Sequence, residues 1–138
     1  MSYFEGMVTF YRAFLVWVLI AFLEVIHGII RAKFLAPKVG DLRSRQIGVF
    51  SGSLIFFVVT LASFDWMNIS TPDQALGIGL LWLISMLALE FLVGHFIFRF
   101  SWKWLLNDFN IFKGRLLALG MIFLALSPLL VWKIRQIQ

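Results

Sequence analysis

Four apolar runs, each long enough to cross a lipid bilayer, decide what this chain can fold into. They lie at about residues 13–30, 47–64, 75–98 and 116–132. A run of about 18 or more predominantly apolar residues is typical of a helix that spans the hydrocarbon core. We therefore predict an all-α integral membrane protein, a bundle of four transmembrane helices that forms a single domain over residues 1–138.

The composition supports the same class of protein. Of the 138 residues, 62% are hydrophobic and 14% are charged, whereas a soluble domain has roughly 45–50% and about 25%. A soluble fold of this size buries only about two-thirds of its surface, so it could not hide so much apolar area from water. The chain has no cysteine, which excludes disulfides and thiolate ligands to a metal.

Basic residues are concentrated in two of the three connections between the runs. The first and third connections are basic, while the second holds Asp65 and Asp73 and no cation. Because cytoplasmic loops carry an excess of Lys and Arg, we predict that both basic connections are cytoplasmic and that both termini lie outside, in a bacterial inner membrane. The net charge of +5 then reflects contact with anionic lipid, and no nucleic-acid partner is predicted.

Ionisable residues occur at membrane depth in two of the runs. They are Glu24 and His27 in the first run, with Arg31 at its edge, and Glu90 and His95 in the third run, with Arg99 directly after it. The first three are spaced i, i+3, i+7, which places them on one helix face. A charge at the bilayer centre costs at least about 2.5–3.5 kcal/mol, so these groups should face protein or water. Two interpretations stay open: a site for a proton, ion, head group or partner, or a polar clamp between helices.

The two halves of the chain, residues 11–66 and 75–132, resemble each other. The matching pairs are Trp17 and Trp82, Glu24 and Glu90, Gly28 and Gly94, Asp41 and Asp108, and Arg45 and Arg115. Because each half holds two spans, a repeat would be parallel, with its axis along the membrane normal. The alternative is that basic loops alone produce the likeness, as they would in any four-span protein.

Small residues mark candidate helix contacts. Gly48 and Gly52 form a GxxxG pattern at the start of the second run, and Gly28 and Gly94 lie beside the acidic residues. Such glycines let helices approach closely, either within the chain, in a homo-oligomer or against another membrane subunit. Pro37 is predicted to end the first helix, because the residue before proline disfavours the helical conformation.

Arginines near the cytoplasmic face are candidate contacts for a lipid head group or a phosphate. They are Arg43, Arg45 and Arg115. The alternative is that these charges only set the topology. The sequence has no Gly-rich phosphate loop, nucleophile elbow or zinc motif, so we predict no catalytic residue and no metal site.

A haem site is the one cofactor hypothesis that the sequence permits. His27 and His95, the two histidines, lie on different spans at similar depth, and paired axial histidines can hold a b-type haem in a bundle. No other feature indicates a cofactor, and none is the main prediction.

Little of the chain lies outside the predicted membrane, which leaves little room for an active site. We therefore expect a non-enzymatic protein that binds lipid or a partner, as an oligomer or a subunit of a membrane complex. The first alternative is a small transporter or channel in which Glu24 and Glu90 bind protons or ions. The second is a haem-binding redox subunit.

Overall fold

A computed structural model describes residues 3–97, 99–107 and 109–137, and these residues contain helices and no strand. The helices are α1 (Tyr3–Ile30), α2 (Ala36–Val39), α3 (Asp41–Met67), α4 (Pro72–Phe96), α5 (Trp102–Asn107) and α6 (Leu117–Ile137). A π-helical turn (Arg31–Leu35) joins α1 to α2, and a short 3-10 helix (Ile111–Lys113) precedes α6. Asp108, which the proposed repeat pairs with Asp41, lies outside the described residues.

Four of the described helical segments are long and apolar enough to cross a bilayer. They are Phe4–Val39, Asp41–Met67, Pro72–Phe96 and Leu117–Ile137. The prediction of an all-α bundle of four membrane-spanning helices is therefore confirmed. The first two helical segments extend beyond both ends of their predicted runs, the first most, because hydropathy detects only the part of a helix that lies in lipid. The third extends beyond its run only at its start and the fourth only at its end.

The prediction that Pro37 ends the first helix is wrong. Helical backbone continues from α1 through the π-helical turn to Val39 and ends at Gly40, whose φ of 91° is outside the helical region. Pro37 lies at the start of α2, directly after the π-helical turn, where the hydrogen-bond register changes. There its missing N–H disrupts the helix less than it would in an α-helix interior.

The four long helices form a closed ring. α1 packs against α3, α3 against α6, and α6 against α4, while α4 and α1 contact each other less extensively. We call the end with both termini and residues 68–71 the terminal end. The opposite end, with residues 31–46, 97, 99–107 and 109–116, is the loop end. A core of apolar side chains runs between the helices, with Trp82, Ile20, Ile78, Leu124 and Val131 almost completely buried.

Polar contacts at the terminal end join the long helices to one another. The indole Nε1 of Trp82 donates to the carbonyl oxygen of Ala13 at 2.9 Å. Arg12 donates to the carbonyl oxygen of Trp66 at 2.8 Å, and its guanidinium lies 5.3 Å from the centre of that indole ring. Arg135, near the end of α6, lies 3.3 Å from the carboxylate of Asp65. Three cations at this end, Arg12, Lys133 and Arg135, oppose the charge bias of the loops. The two arginines among them have partners in these contacts.

Gly79 provides the closest backbone contact between α4 and α6. A Cβ atom built on Gly79 would collide with the backbone carbonyl of Ala125. Because the obstacle is backbone in the middle of a helix, no side-chain rotation could relieve the collision. Gly79 is thus a packing glycine of the kind that membrane helices use to approach closely, although the sequence analysis did not select it.

Replacing Gly79 by alanine should destabilise the bundle by about 1–3 kcal/mol, the usual effect of inserting an atom into a packed core. Gly28→Ala is the matched control, because a Cβ there meets no atom within 4 Å; it should be neutral or stabilising by about 0.5–1 kcal/mol. Thermal unfolding followed by circular dichroism in one detergent compares the two. Equal stability of the two variants would contradict the proposed α4–α6 contact.

Candidate functional site

A cavity of about 590 Å³ lies between the four long helices in the half of the bundle nearer the loop end. Its closed base is apolar and is formed by Ala21, Phe56, Met86 and Leu124, one residue from each long helix. Further apolar side chains from all four helices and from α5 form most of its walls. The volume is within the range of about 300–1,000 Å³ that is usual for small-molecule sites.

Charged side chains line the cavity at two levels above that base. We call Glu24 and Glu90 the carboxylate pair, and Arg31, Arg45 and Arg115 the arginine rim. By helical rise, Glu24 lies about 5 Å and Arg31 about 15 Å along α1 from Ala21. The cavity therefore changes from apolar at its base to acidic in its middle and basic at its mouth.

Glu24 lies against a gap that a glycine leaves in α3. A Cβ built on Gly52 would lie 2.7 Å from Glu24 Oε2, so the carboxylate occupies the space where a side chain would otherwise be. Oε2 is 3.9 Å from His27 Nδ1. Oε1 is buried and has no hydrogen-bond partner among the described residues. Glu90 is near enough for a repulsive coulombic interaction with Glu24.

Arg31 and His27 use the same face of α3 as Glu24. The Cδ of Arg31 would be 2.7 Å from a Cβ on Gly48, and its Nη1 donates to Ser44 Oγ at 2.9 Å. The Nε2 of His27 and the Oγ of Ser51 are hydrogen-bonded at 2.6 Å. The GxxxG pattern thus makes room for the side chains of Glu24 in α1 and of Arg31 in the π-helical turn that follows it.

Two of the three arginines of the rim, Arg45 and Arg115, approach one carboxylate, that of Asp41. Arg45 Nε lies 3.1 Å from Asp41 Oδ2, and Arg115 Nη1 lies 3.8 Å from the same oxygen. Arg45 also lies over the ring of Trp104, 5.0 Å from its centre. Gln46 Nε2 donates to the carbonyl oxygen of Gly114 at 2.8 Å. These contacts join α3 to the segment before α6 at the mouth of the cavity.

The wall of the cavity between α1 and α4 is incomplete. Toward the terminal end the two helices meet, as in the Trp82–Ala13 hydrogen bond. Toward the loop end Gly28 faces open space, Val25 and Ile29 of α1 are exposed, and so is Glu90 of α4. A lateral opening between α1 and α4 therefore leads from the apolar outer surface of the bundle into the cavity.

Most of the residues predicted from the sequence line this cavity. They are Glu24, His27, Gly28, Arg31, Arg45, Gly48, Gly52, Glu90, Gly94 and Arg115. Three others are not among its lining residues: Arg43 is exposed on α3, Arg99 is exposed with φ of 60° between α4 and α5, and His95 lies on α4. His95 stacks on Trp102 with ring centres 3.8 Å apart and donates from Nδ1 to the carbonyl oxygen of Phe100 at 2.9 Å.

The two histidines therefore belong to different environments, His27 inside the cavity and His95 beside α5. Among the described residues, no group of three or more His, Cys, Asp or Glu side chains could hold a metal ion.

Two of the predicted packing glycines, Gly94 and Gly28, have different surroundings. Gly94 makes room for the Leu105 side chain of α5, whereas a Cβ on Gly28 would meet no atom within 4 Å, and Gly28 forms part of the cavity wall.

Several residues that shape the site were not predicted from the sequence. These are Ser44, Gln46, Ser51 and Trp104. A signal for the serines was present, since Ser44, Gly48, Ser51 and Gly52 follow the i, i+4, i+7, i+8 spacing of one helix face. Trp104 carries no such pattern, because its contact with Arg45 depends on how the two halves of the chain fold together. Asp41 was named from the sequence as the counterpart of Asp108, and its contact with Arg115 likewise depends on that folding.

No known protein family, curated protein or solved structure matches this chain. The function has to be inferred from the cavity itself.

Proposed function

We propose that this protein binds a lipid or a similar single amphiphilic molecule in the cavity, without carrying out chemistry on it. The observation that carries the proposal is the change of lining from apolar base to charged mouth, combined with the lateral opening between α1 and α4. An amphiphile has the same change of polarity along its length. A ligand that dissolves in the bilayer could enter sideways without passing through water.

The balance of surfaces supports a bound amphiphile over a purely polar ligand. Most residues that line the cavity are apolar, and a few charged groups are grouped at two levels, which is the usual arrangement of ligand sites. A small hydrophilic solute would leave the apolar base unfilled. A hydrocarbon without a head group would offer the carboxylate pair no polar group to interact with. The free-energy cost of binding it would rise as it excluded water from the two carboxylates.

Filling the cavity should abolish this binding. Gly28→Phe places a large side chain in the open space beside Gly28, whereas Val18→Phe on the exposed face of α1 is the control. Native mass spectrometry from mild detergent should show the parent and Val18→Phe with one retained lipid, and Gly28→Phe with at least about tenfold lower occupancy. Equal lipid occupancy in the three proteins would reject the cavity as the binding site.

A second candidate function is proton- or ion-coupled transport, and the carboxylate pair is the observation that favours it. Glu24 and Glu90 come from different helices, share one cavity and repel each other, so binding a proton or cation between them would be favourable. Such a pair is a common feature of ion pathways in membranes. The haem alternative has less support, because His95 does not line the cavity with His27.

Transport through the carboxylate pair predicts a specific loss on neutralisation. Glu24→Gln and Glu90→Gln should each reduce pH-dependent cation flux into proteoliposomes to the level of protein-free vesicles. Glu5→Gln, which removes a carboxylate at the terminal end, is the control and should leave the flux unchanged. Undiminished flux in both cavity variants would reject transport by this route.

We also propose the orientation that follows from the charge of the loops, with the loop end and the mouth of the cavity in the cytoplasm of a bacterial cell. Support comes from the clustering of Lys and Arg in the first and third connections. Arg12 and Arg135, which oppose this bias, are held by Trp66 and Asp65. An oligomer or a complex with another membrane subunit stays a prediction, as does the two-helix repeat.

The absence of cysteine from the chain makes this orientation easy to test. Phe112→Cys lies at the loop end, where the side chain is 101% exposed, and Phe4→Cys lies at the terminal end, where it is 73% exposed. In intact spheroplasts a membrane-impermeant maleimide should label Phe4→Cys and should label Phe112→Cys only after lysis. The opposite pattern would invert the proposed topology.

A further inference from the structure

We propose that the cavity selects an amphiphile whose head group carries both a primary ammonium and a phosphate, as the phosphoethanolamine head group does. This inference rests on the proposed lipid binding and names the head group for the same site. It follows from the two levels of charge in the cavity and from the spacing between them.

The carboxylate pair is suited to binding a primary ammonium. Glu24 Oε1 is buried and accepts no hydrogen bond from the described residues, and a buried acceptor left without a donor costs about 1–3 kcal/mol. Glu90 adds a second negative charge nearby. A primary ammonium supplies three N–H donors and a positive charge, so one group could satisfy the unpaired oxygen and reduce the repulsion.

The arginine rim is suited to binding a phosphate. Arg45 and Arg115 both approach one oxygen of Asp41, at 3.1 and 3.8 Å, and Arg31 donates to Ser44. The rim therefore already accommodates an anionic oxygen at the mouth of the cavity. Arginine favours phosphate as well as carboxylate, because its planar guanidinium presents several donors to two oxygens at once.

The distance between the carboxylate pair and the arginine rim is suited to a short zwitterionic head group. The Glu24 carboxylate lies beside Gly52, and the Arg31 side chain lies beside Gly48. Gly48 and Ser44 lie four and eight residues before Gly52 on α3, and the guanidinium of Arg31 extends from Gly48 to Ser44, so the two charged groups are about 6–12 Å apart along that helix. A phosphoethanolamine head group joins its ammonium to its phosphate by a short ethylene link, and with one hydrogen bond at each end it can bridge this separation.

The glycerol phosphate and choline head groups each satisfy only one of the two levels. A glycerol phosphate head group has an anion for the arginine rim and hydroxyl donors but no cation for the carboxylate pair. A choline head group has a cation, yet its quaternary nitrogen has no N–H to donate to Glu24 Oε1. Because the phosphate lies between the ammonium and the glycerol, the acyl chains of a lipid bound in this way start at the arginine rim. From there they can leave through the lateral opening between α1 and α4 and run back along the apolar side chains toward the base.

Binding of three dioctanoyl lipids to the delipidated full-length protein tests the inference. Native mass spectrometry in mild detergent compares phosphatidylethanolamine, phosphatidylcholine and phosphatidylglycerol at equal concentrations. Phosphatidylethanolamine should bind at least about tenfold more tightly than the other two. Glu24→Gln and Glu90→Gln should each remove this preference, and Arg115→Gln should weaken both phosphatidylethanolamine and phosphatidylglycerol.

Two variants outside the cavity are the matched controls, Glu5→Gln for the carboxylates and Arg43→Gln for the arginines, and both should bind as the parent does. Equal affinity for the three lipids, or a preference for phosphatidylethanolamine that persists in both glutamine variants, would overturn the head-group inference and leave lipid binding intact. Failure of all three lipids to bind the correctly folded parent would overturn both. Circular dichroism of every variant verifies that a lost preference reflects the site rather than misfolding.

Discussion

The placement of charged side chains of α1 against the small-residue face of α3 is the constraint on which the site depends. Glu24 and Arg31 lie on a helix that is otherwise apolar at that depth, and lipid would solvate neither of them well. Gly52 and Gly48 leave the space that these two side chains occupy, and Ser44 and Ser51 supply hydrogen bonds to Arg31 and His27. If α3 carried larger side chains there, the charges would have to face the lipid.

The two ends of the bundle differ in how tightly their helices meet, and this difference creates the cavity. Toward the terminal end, Gly79 brings the backbones of α4 and α6 together, and the Trp82 indole is hydrogen-bonded to α1. Toward the loop end, residues of α5 and the arginine rim line the cavity between the helices. A fully close-packed bundle would leave no room for a ligand, and a uniformly loose one would not hold Glu24 and Glu90 in one cavity.

The class of protein and the number of spans could be predicted from hydropathy, because lipid imposes a minimum length on every apolar helix. The acidic residues of the site could also be predicted, since a carboxylate at membrane depth is energetically costly and usually marks a functional site.

The role of the GxxxG pattern could not be predicted, because spacing alone does not distinguish a glycine that meets a backbone from one that meets a side chain. Gly79, which does meet backbone, has no such pattern. The continuation of the first helix past Pro37 depends on a π-helical turn, and hydropathy carries no information about that turn.

The lateral opening between α1 and α4 has a consequence for how this protein should be handled. A cavity that is open on one side toward hydrocarbon is completed by whichever chain lies against the gap, so the surrounding medium becomes part of its wall. Extraction replaces that wall with detergent, whose tails differ from acyl chains in length and stiffness. The shape of the cavity, and every affinity measured for it, is therefore a joint property of the polypeptide and its solvent.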